Sequence, residues 1–172
     1  MAADLIAGSD DNNRLPTRLV AADYGQVLTI TVVTLPPFHF AFPVDDLAAA
    51  RRFYGELLGC PEGRSAEHWV DFDLFGHQIV AHLAPERVQA RITNPVDGEQ
   101  VPVPHFGVVL DKEKWTRLAE RLTNAQAEFV IPPTVRFEGQ PGEQATMFLL
   151  DPAGNALEFK AMANPQNLFA TA

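Results

Sequence analysis

The sequence predicts an α+β fold made of two similar β-α-β-β(-β) modules, and three observations carry that reading. Two strand-like runs each contain a histidine near their start: His39 in Phe38-His39-Phe40-Ala41-Phe42-Pro43-Val44 and His105 in His105-Phe106-Gly107-Val108-Val109-Leu110. Each run leads into a helix-like stretch. Each helix is followed by further strands, the last of which carries His82 in the first half and Glu158 in the second. If the halves fold alike, symmetry brings the four side chains toward one another. Imidazole and carboxylate together are ligands of Fe(II), Mn(II), Zn(II) or Ni(II), so the constellation points to a metal enzyme.

In the first module a strand over 38–44 precedes Asp45-Asp46, which caps a helix over 47–58 ended by Gly59. Leu47, Ala50, Phe53, Tyr54, Leu57 and Leu58 recur at helical spacing and form one face that packs on a sheet. Strands follow at 68–74 and 78–83 around a Phe75-Gly76-His77 turn, and a short strand is expected near 62–65. The second module repeats the order with a strand over 105–110, a helix over 112–124 and strands near 128–131, 145–150 and 156–160. Its last hairpin turns through Asp151-Pro152-Ala153-Gly154-Asn155, where Pro fixes φ and Gly supplies a positive-φ position.

Ala84 to Pro104 joins the modules; its four prolines and mixed polarity predict a surface crossover with little regular structure. Residues 1 to about 24 carry acidic residues and no basic-then-apolar leader pattern, and are expected to form a mobile extension. Residues 26–34 are rich in β-branched side chains and suit a strand added to a sheet edge or to a partner subunit, or else an apolar linker. The expected organisation is an extension over 1–35, a first module over 36–84, a crossover over 85–104, a second module over 105–163 and a tail over 164–172.

Composition limits the partners. The 172 residues make one domain or two small modules sharing a core, and the 47% hydrophobic content suffices to bury one. A formal charge of -9 argues against a nucleic-acid or anionic-membrane surface, which needs clustered Lys and Arg. A small-molecule substrate is expected instead. Cys60 is the one cysteine, so no intrachain disulfide forms and a reducing, cytoplasmic location is expected. No apolar run approaches the roughly 18 residues of a membrane-spanning helix.

Residues 36–163 resemble the vicinal oxygen chelate superfamily, which includes glyoxalase I, extradiol ring-cleaving dioxygenases and bleomycin or fosfomycin resistance proteins. The resemblance rests on the His39 strand, the helix Asp46-Leu47-Ala48-Ala49-Ala50-Arg51-Arg52-Phe53-Tyr54-Gly55-Glu56-Leu57-Leu58-Gly59, the second histidine at 105, and Phe148-Leu149-Leu150-Asp151-Pro152-Ala153-Gly154-Asn155-Ala156-Leu157-Glu158-Phe159. It implies paired βαβββ modules whose curled mixed sheets surround a cleft holding a divalent metal. His39, His105 and Glu158 match the metal ligands, and Fe(II) is the favoured ion over Mn(II), Zn(II) or Ni(II). Two imidazoles and one carboxylate on rigid strands occupy one face of an octahedron and leave positions for substrate and O₂ or water.

His82 matches the place where glyoxalase I has a fourth ligand and where extradiol dioxygenases keep an acid–base histidine off the metal. A histidine there resembles the small extradiol-dioxygenase branch most closely, with His82 taking a proton from a chelated catechol. The extradiol pattern also implies a further His and a Tyr in the second module, and beyond His105 this chain has neither. The alternatives are a glyoxalase-like lyase, for which Arg64, Arg91 and Arg136 are the available basic residues, and a metal-free protein that traps a small planar ligand. Homodimerisation is expected, with modules paired within a chain or exchanged between chains. His68 and His77 lie beside turns and read as structural residues, with His77 also near a pocket. The loop Arg136 to Gln144 is either a rim of the metal mouth or an ordinary solvated connection. Phe40, Phe42, Phe106, Phe148 and Phe159 read as core or cleft wall.

Overall fold

The computed structural model describes residues 35–87, 92–96 and 98–170 and the strands Thr17–Ala21 and Val27–Thr31. It divides into two compact units, Met1–Pro36 and Pro37–Ala172. In the first unit β1 (Thr17–Ala21) and β2 (Val27–Thr31) pair antiparallel, with Thr17 opposite Thr31 and Ala21 opposite Val27. The strand expected in residues 26–34 therefore forms, but its partner is Thr17–Ala21, which the sequence places in the mobile extension. The rest of that extension lies outside the described residues.

In the second unit, the first module comprises β3 (His39–Val44), helix α1, β4 (Glu62–Ala66), β5 (Trp69–Leu74) and β6 (His77–Leu83), in sheet order β3-β6-β5-β4. Helix α1 starts where Asp46 caps it, its Oδ1 accepting from the amides of Ala48 and Ala49 at 2.7 and 3.1 Å. It is α-helical over Leu47–Ala50 and continues over Arg51–Leu57 with wider π-type turns. Gly59, at φ +74°, ends it.

The crossover differs from expectation: a short 3₁₀ turn at Pro85–Arg87 leads into a hairpin of β7 (Ile92–Val96) and β8 (Glu99–Val103). The sequence signal is Asp97-Gly98 between β-formers, the pair favoured in two-residue hairpin loops, and Gly98 takes φ +80°. The prolines fit because, among the described residues, neither strand pairs with a larger sheet.

The second module comprises β9 (His105–Val109), helix α2 (Lys112–Asn124), β10 (Phe129–Arg136), β11 (Gln144–Leu150) and β12 (Ala156–Met162), in order β10-β11-β12-β9. Asp111 caps α2 by accepting from the Lys114 amide at 2.8 Å, and Trp115, Leu118, Ala119 and Leu122 form its buried stripe. In both modules the histidine-bearing first strand lies parallel to the last, as β3 beside β6 and β9 beside β12.

The modules share one core. Phe42, Tyr54, Phe72 and Ile79 of the first join Trp115, Leu122, Leu157 and Phe159 of the second. Phe40 and Phe106 meet with ring centroids 4.8 Å apart, and Phe42 and Phe106 at 5.1 Å. A polar clasp spans this junction. The Tyr54 hydroxyl donates to Asp151 Oδ2 at 3.0 Å, while the Asn155 side-chain amide donates to Asp151 Oδ2 at 2.8 Å and to the Pro43 carbonyl at 2.9 Å. Burial pushes the Tyr54 phenol well up; it also pushes the Asp151 carboxyl up, against the hydrogen bonds that favour its charged form. Among the described residues no helix is long and apolar enough to cross a membrane.

Tyr54→Phe leaves the buried Asp151 carboxylate one donor short and is expected to destabilise the protein by about 1–3 kcal/mol, read as a lower urea midpoint at unchanged slope. Burial raises the Cys60 thiol to about 12. A disulfide reagent should therefore react slowly with the native chain and label one thiol quickly once urea unfolds it.

Candidate metal centre

Because side chains alternate along a strand, β3 sends His39, Ala41 and Pro43 to one face and Phe40, Phe42 and Val44 to the other. The aromatic set enters the common core, so His39 stands on the opposite, exposed face. The same alternation separates His105, Gly107 and Val109 from Phe106 and Val108, which pack against the core. The faces that carry the candidate ligands thus point away from the core the modules share.

In the second module two of the candidate ligands meet. His105 Nε2 lies 3.3 Å from Glu158 Oε2. The register explains the approach: Glu158 is paired with Gly107, which has no side chain to interpose, and His105 lies two residues earlier on β9. A Cβ at Gly107 would fall 1.6 Å from the Glu158 carbonyl oxygen. Thr146 Oγ1 donates to Glu158 Oε1 at 2.8 Å, and Lys160 Nζ lies 3.0 Å from Glu158 Oε2. Burial pushes the Glu158 carboxyl up, but the hydrogen bonds from His105, Thr146 and Lys160 and the lysine charge outweigh it and hold the carboxyl below its ordinary value. The hydrogen bond to Glu158 raises His105 in turn, against the opposing effect of burial.

His105 is oriented from its other side. Its Nδ1 lies 2.7 Å from the Pro102 carbonyl oxygen, which only accepts, so Nδ1 keeps a proton; the protonated ring donates from Nε2 to Glu158, and loss of that second proton leaves an Nε2 lone pair beside the carboxylate. Phe148 abuts the ring edge-on at 5.1 Å. The crossover hairpin supplies Pro102, and its Val101 packs with Ile131 and Phe148, while Arg136 Nη2 donates to the Val96 carbonyl at 2.7 Å. Arg136 therefore ends β10 as a buried residue, and the loop beyond it begins at Phe137. A neutral imidazole lone pair beside a carboxylate is a donor set that fits a divalent metal.

In the first module His39 Nδ1 lies 2.7 Å from Gln78 Oε1. Among the described residues, no three His, Cys, Asp or Glu side chains are gathered closely enough to hold a metal, so His39 is not brought to His105 and Glu158 within the chain. The symmetry between His82 and Glu158 also needs correction. Glu158 is paired with the residue two after His105, and the residue two after His39 is Ala41, paired with Val80. Val80 thus occupies the place that corresponds to Glu158. His82, opposite Pro43, corresponds to Lys160, opposite Val109. It is exposed on the His39 face, roughly 6.6 Å along the strand from Val80.

His77 accepts from the Phe38 amide at 3.0 Å and lines a cavity of about 90 Å³ with Phe40 and Phe106; His68 is exposed beside Glu67. Arg64 is exposed, and Arg91 lies outside the described residues. Sequence reasoning missed Gln78, Thr146, Lys160 and the Pro102 carbonyl. Lys160 had a signal, standing two residues after Glu158 and hence on its face; the carbonyl had none.

Residues 37–159 match the Glyoxalase/Bleomycin resistance protein/Dioxygenase superfamily. The chain belongs to this superfamily. Members of the superfamily include enzymes and bind divalent metals. Among solved structures, a glyoxalase/bleomycin resistance protein/dioxygenase from Alicyclobacillus acidocaldarius is 32% identical, with a TM-score of 0.67 over 77% of this chain and 96% of its own. The genomically encoded fosfomycin resistance protein FosX from Listeria monocytogenes is 19% identical, with a TM-score of 0.56 over 79% and 98%. A virulence protein from Salmonella typhimurium is 19% identical, with a TM-score of 0.53 over 77% and 100%. The last two show likeness of fold alone. No protein of curated function matches the chain.

Gly107→Ala forces β9 off β12 and is expected to cost about 3 kcal/mol, seen as a large fall in Tm of the metal-free protein. Ala41→Gly, at the matching place in the first module, is expected to cost about 1 kcal/mol or less.

Proposed function

We propose that the protein is a metal-dependent enzyme whose site is completed between two copies of the chain, His39 of one joining His105 and Glu158 of the other, and that it oxidises a small vicinal-oxygen substrate in extradiol fashion. The observation that carries this reading is the pairing of His105 with Glu158 on a face turned away from the shared core. A homodimer that apposes such faces supplies the third ligand that the chain does not bring up itself. Three ligands on strands leave open positions, and Fe(II) is the favoured ion for that set.

When bound, the metal supplies a Lewis acid that two adjacent substrate oxygens chelate and a place for O₂. Pro102 holds the His105 tautomer, Thr146 and Lys160 fix the Glu158 carboxylate, and Phe148 restricts the His105 ring. His82 lies two residues along β6 from Val80, the position that corresponds to Glu158, and would stay off a metal held there. It is suited to take the proton from a substrate hydroxyl at Nε2 or Nδ1. A glyoxalase-like reading needs a fourth protein ligand, and Val80 provides none. The single buried cysteine accords with a reducing cytoplasmic setting.

Metal analysis of protein purified without chelator is expected to give one ion per chain, abolished by His105→Ala. A metal-free chain would leave only the reading of a small-molecule trap. Oxygen uptake with a panel of catechols under Fe(II) is the direct test, and His82→Gln is expected to lower kcat by roughly 10²-fold or more with metal content unchanged. Absence of O₂ consumption with every vicinal diol rules out the oxidation. Turnover of methylglyoxal with glutathione under Ni(II) or Zn(II) would move the assignment to the lyase.

A further inference from the structure

The face of β3 and β6 around His39 carries a chain of hydrogen bonds that the metal reading leaves unused. His39 Nδ1 lies 2.7 Å from Gln78 Oε1; the Gln78 side-chain amide then donates through Nε2 to Asp71 Oδ2 at 2.9 Å. Asp71 is a buried carboxylate in the strand Trp69–Leu74, in which Val70, Phe72 and Leu74 face the core. Arg64 Nη2 approaches its Oδ2 at 3.5 Å, and a Cβ at Gly63 would come within 3.2 Å of the Asp71 Cβ, so the irregular strand β4 closes over it. A buried carboxylate is an expensive residue for a strand to keep, which asks for a reason beyond packing.

We propose that Asp71 and Gln78 are positioning residues that fix His39 in the tautomer that offers its Nε2 lone pair to a metal; the inference rests on the assignment of His39 as a ligand. The logic is directional. An ionised carboxylate only accepts hydrogen bonds, so Asp71 obliges Gln78 to turn its NH₂ group inward and its oxygen toward His39. An amide oxygen also only accepts. His39 Nδ1 must therefore carry the ring proton, and Nε2 is left bare. Pro102 performs the same service for His105, through a backbone carbonyl that no substitution can reverse. In the first module the service is delegated to two side chains and can be inverted.

That difference gives the test. Gln78→Met, close in shape but unable to accept a strong hydrogen bond, is expected to weaken Mn(II) or Zn(II) binding by roughly 10–100-fold in competition with a chromophoric chelator. Asp71→Asn lets the Gln78 amide turn over, presents NH₂ to His39, moves the ring proton to Nε2 and is expected to weaken the metal similarly. Adding Gln78→Glu to Asp71→Asn restores an acceptor toward His39 and a donor behind it, and is expected to recover affinity to within a few-fold of the wild type. A merely structural pair would not be rescued by reversing its polarity. Independently of any variant, long-range ¹H–¹⁵N spectra of the metal-free wild type are expected to show His39 protonated at Nδ1. Protonation at Nε2 overturns the proposal. So does unchanged affinity in Gln78→Met where His39→Ala loses the metal, an outcome that leaves His39 a ligand. Unchanged affinity in His39→Ala removes both the ligand assignment and the inference built on it.

Discussion

A strand sends neighbouring side chains to opposite faces, and this alternation governs the site. Phe40 and Phe42 on β3 and Phe106 on β9 meet in the core common to both modules. His39 and His105 are their immediate neighbours in sequence, and so they must face the other way. Burying these three rings at the junction is worth several kcal/mol, at roughly 1.5–3 kcal/mol for each large apolar side chain fully buried. The chain therefore cannot turn its histidines toward one another without turning its phenylalanines into water. Each module presents its candidate ligands outward, and under the proposed function a second copy would complete the set.

Around the candidate ligands, neighbouring groups set their orientation and charge. Glu158 is nearly buried yet ionised, because Thr146 serves one oxygen and His105 and Lys160 serve the other. Lys160 gives the metal-free carboxylate a cation. A divalent ion held by Glu158 would have to compete with this ammonium. Gly107 permits the whole arrangement by letting β9 and β12 approach.

Much of this was legible in the chain. The Asp45-Asp46 cap, the helix over 112–124 and the Asp151–Asn155 turn each state a local preference strongly, and the structure follows them. Strand register was not legible, because it depends on pairings across long loops. A shift of two residues along β6 is invisible in an apolar run such as Gln78-Ile79-Val80-Ala81-His82, yet it places Val80 where His82 was expected. β4 has no apolar alternation to read, since Glu62–Ala66 is exposed throughout at a sheet edge. The prolines of the crossover masked the Asp97-Gly98 hairpin signal. The Gln78–Asp71 contact joins residues on adjacent strands and leaves no trace in local sequence.

Complementation between two defective chains tests the account most directly. His39→Ala and His105→Ala proteins, each unable to bind metal at full affinity, are unfolded together and refolded as a mixture. If sites form between copies, each mixed dimer contains one site with both substitutions and one with neither. The account predicts that tight metal binding returns to about one site per mixed dimer, with activity toward any identified substrate returning in proportion. A mixture that binds no more metal than its separate components, although mixed dimers are present, would show that each chain assembles its own site and would contradict the claim that the shared core turns the ligands outward.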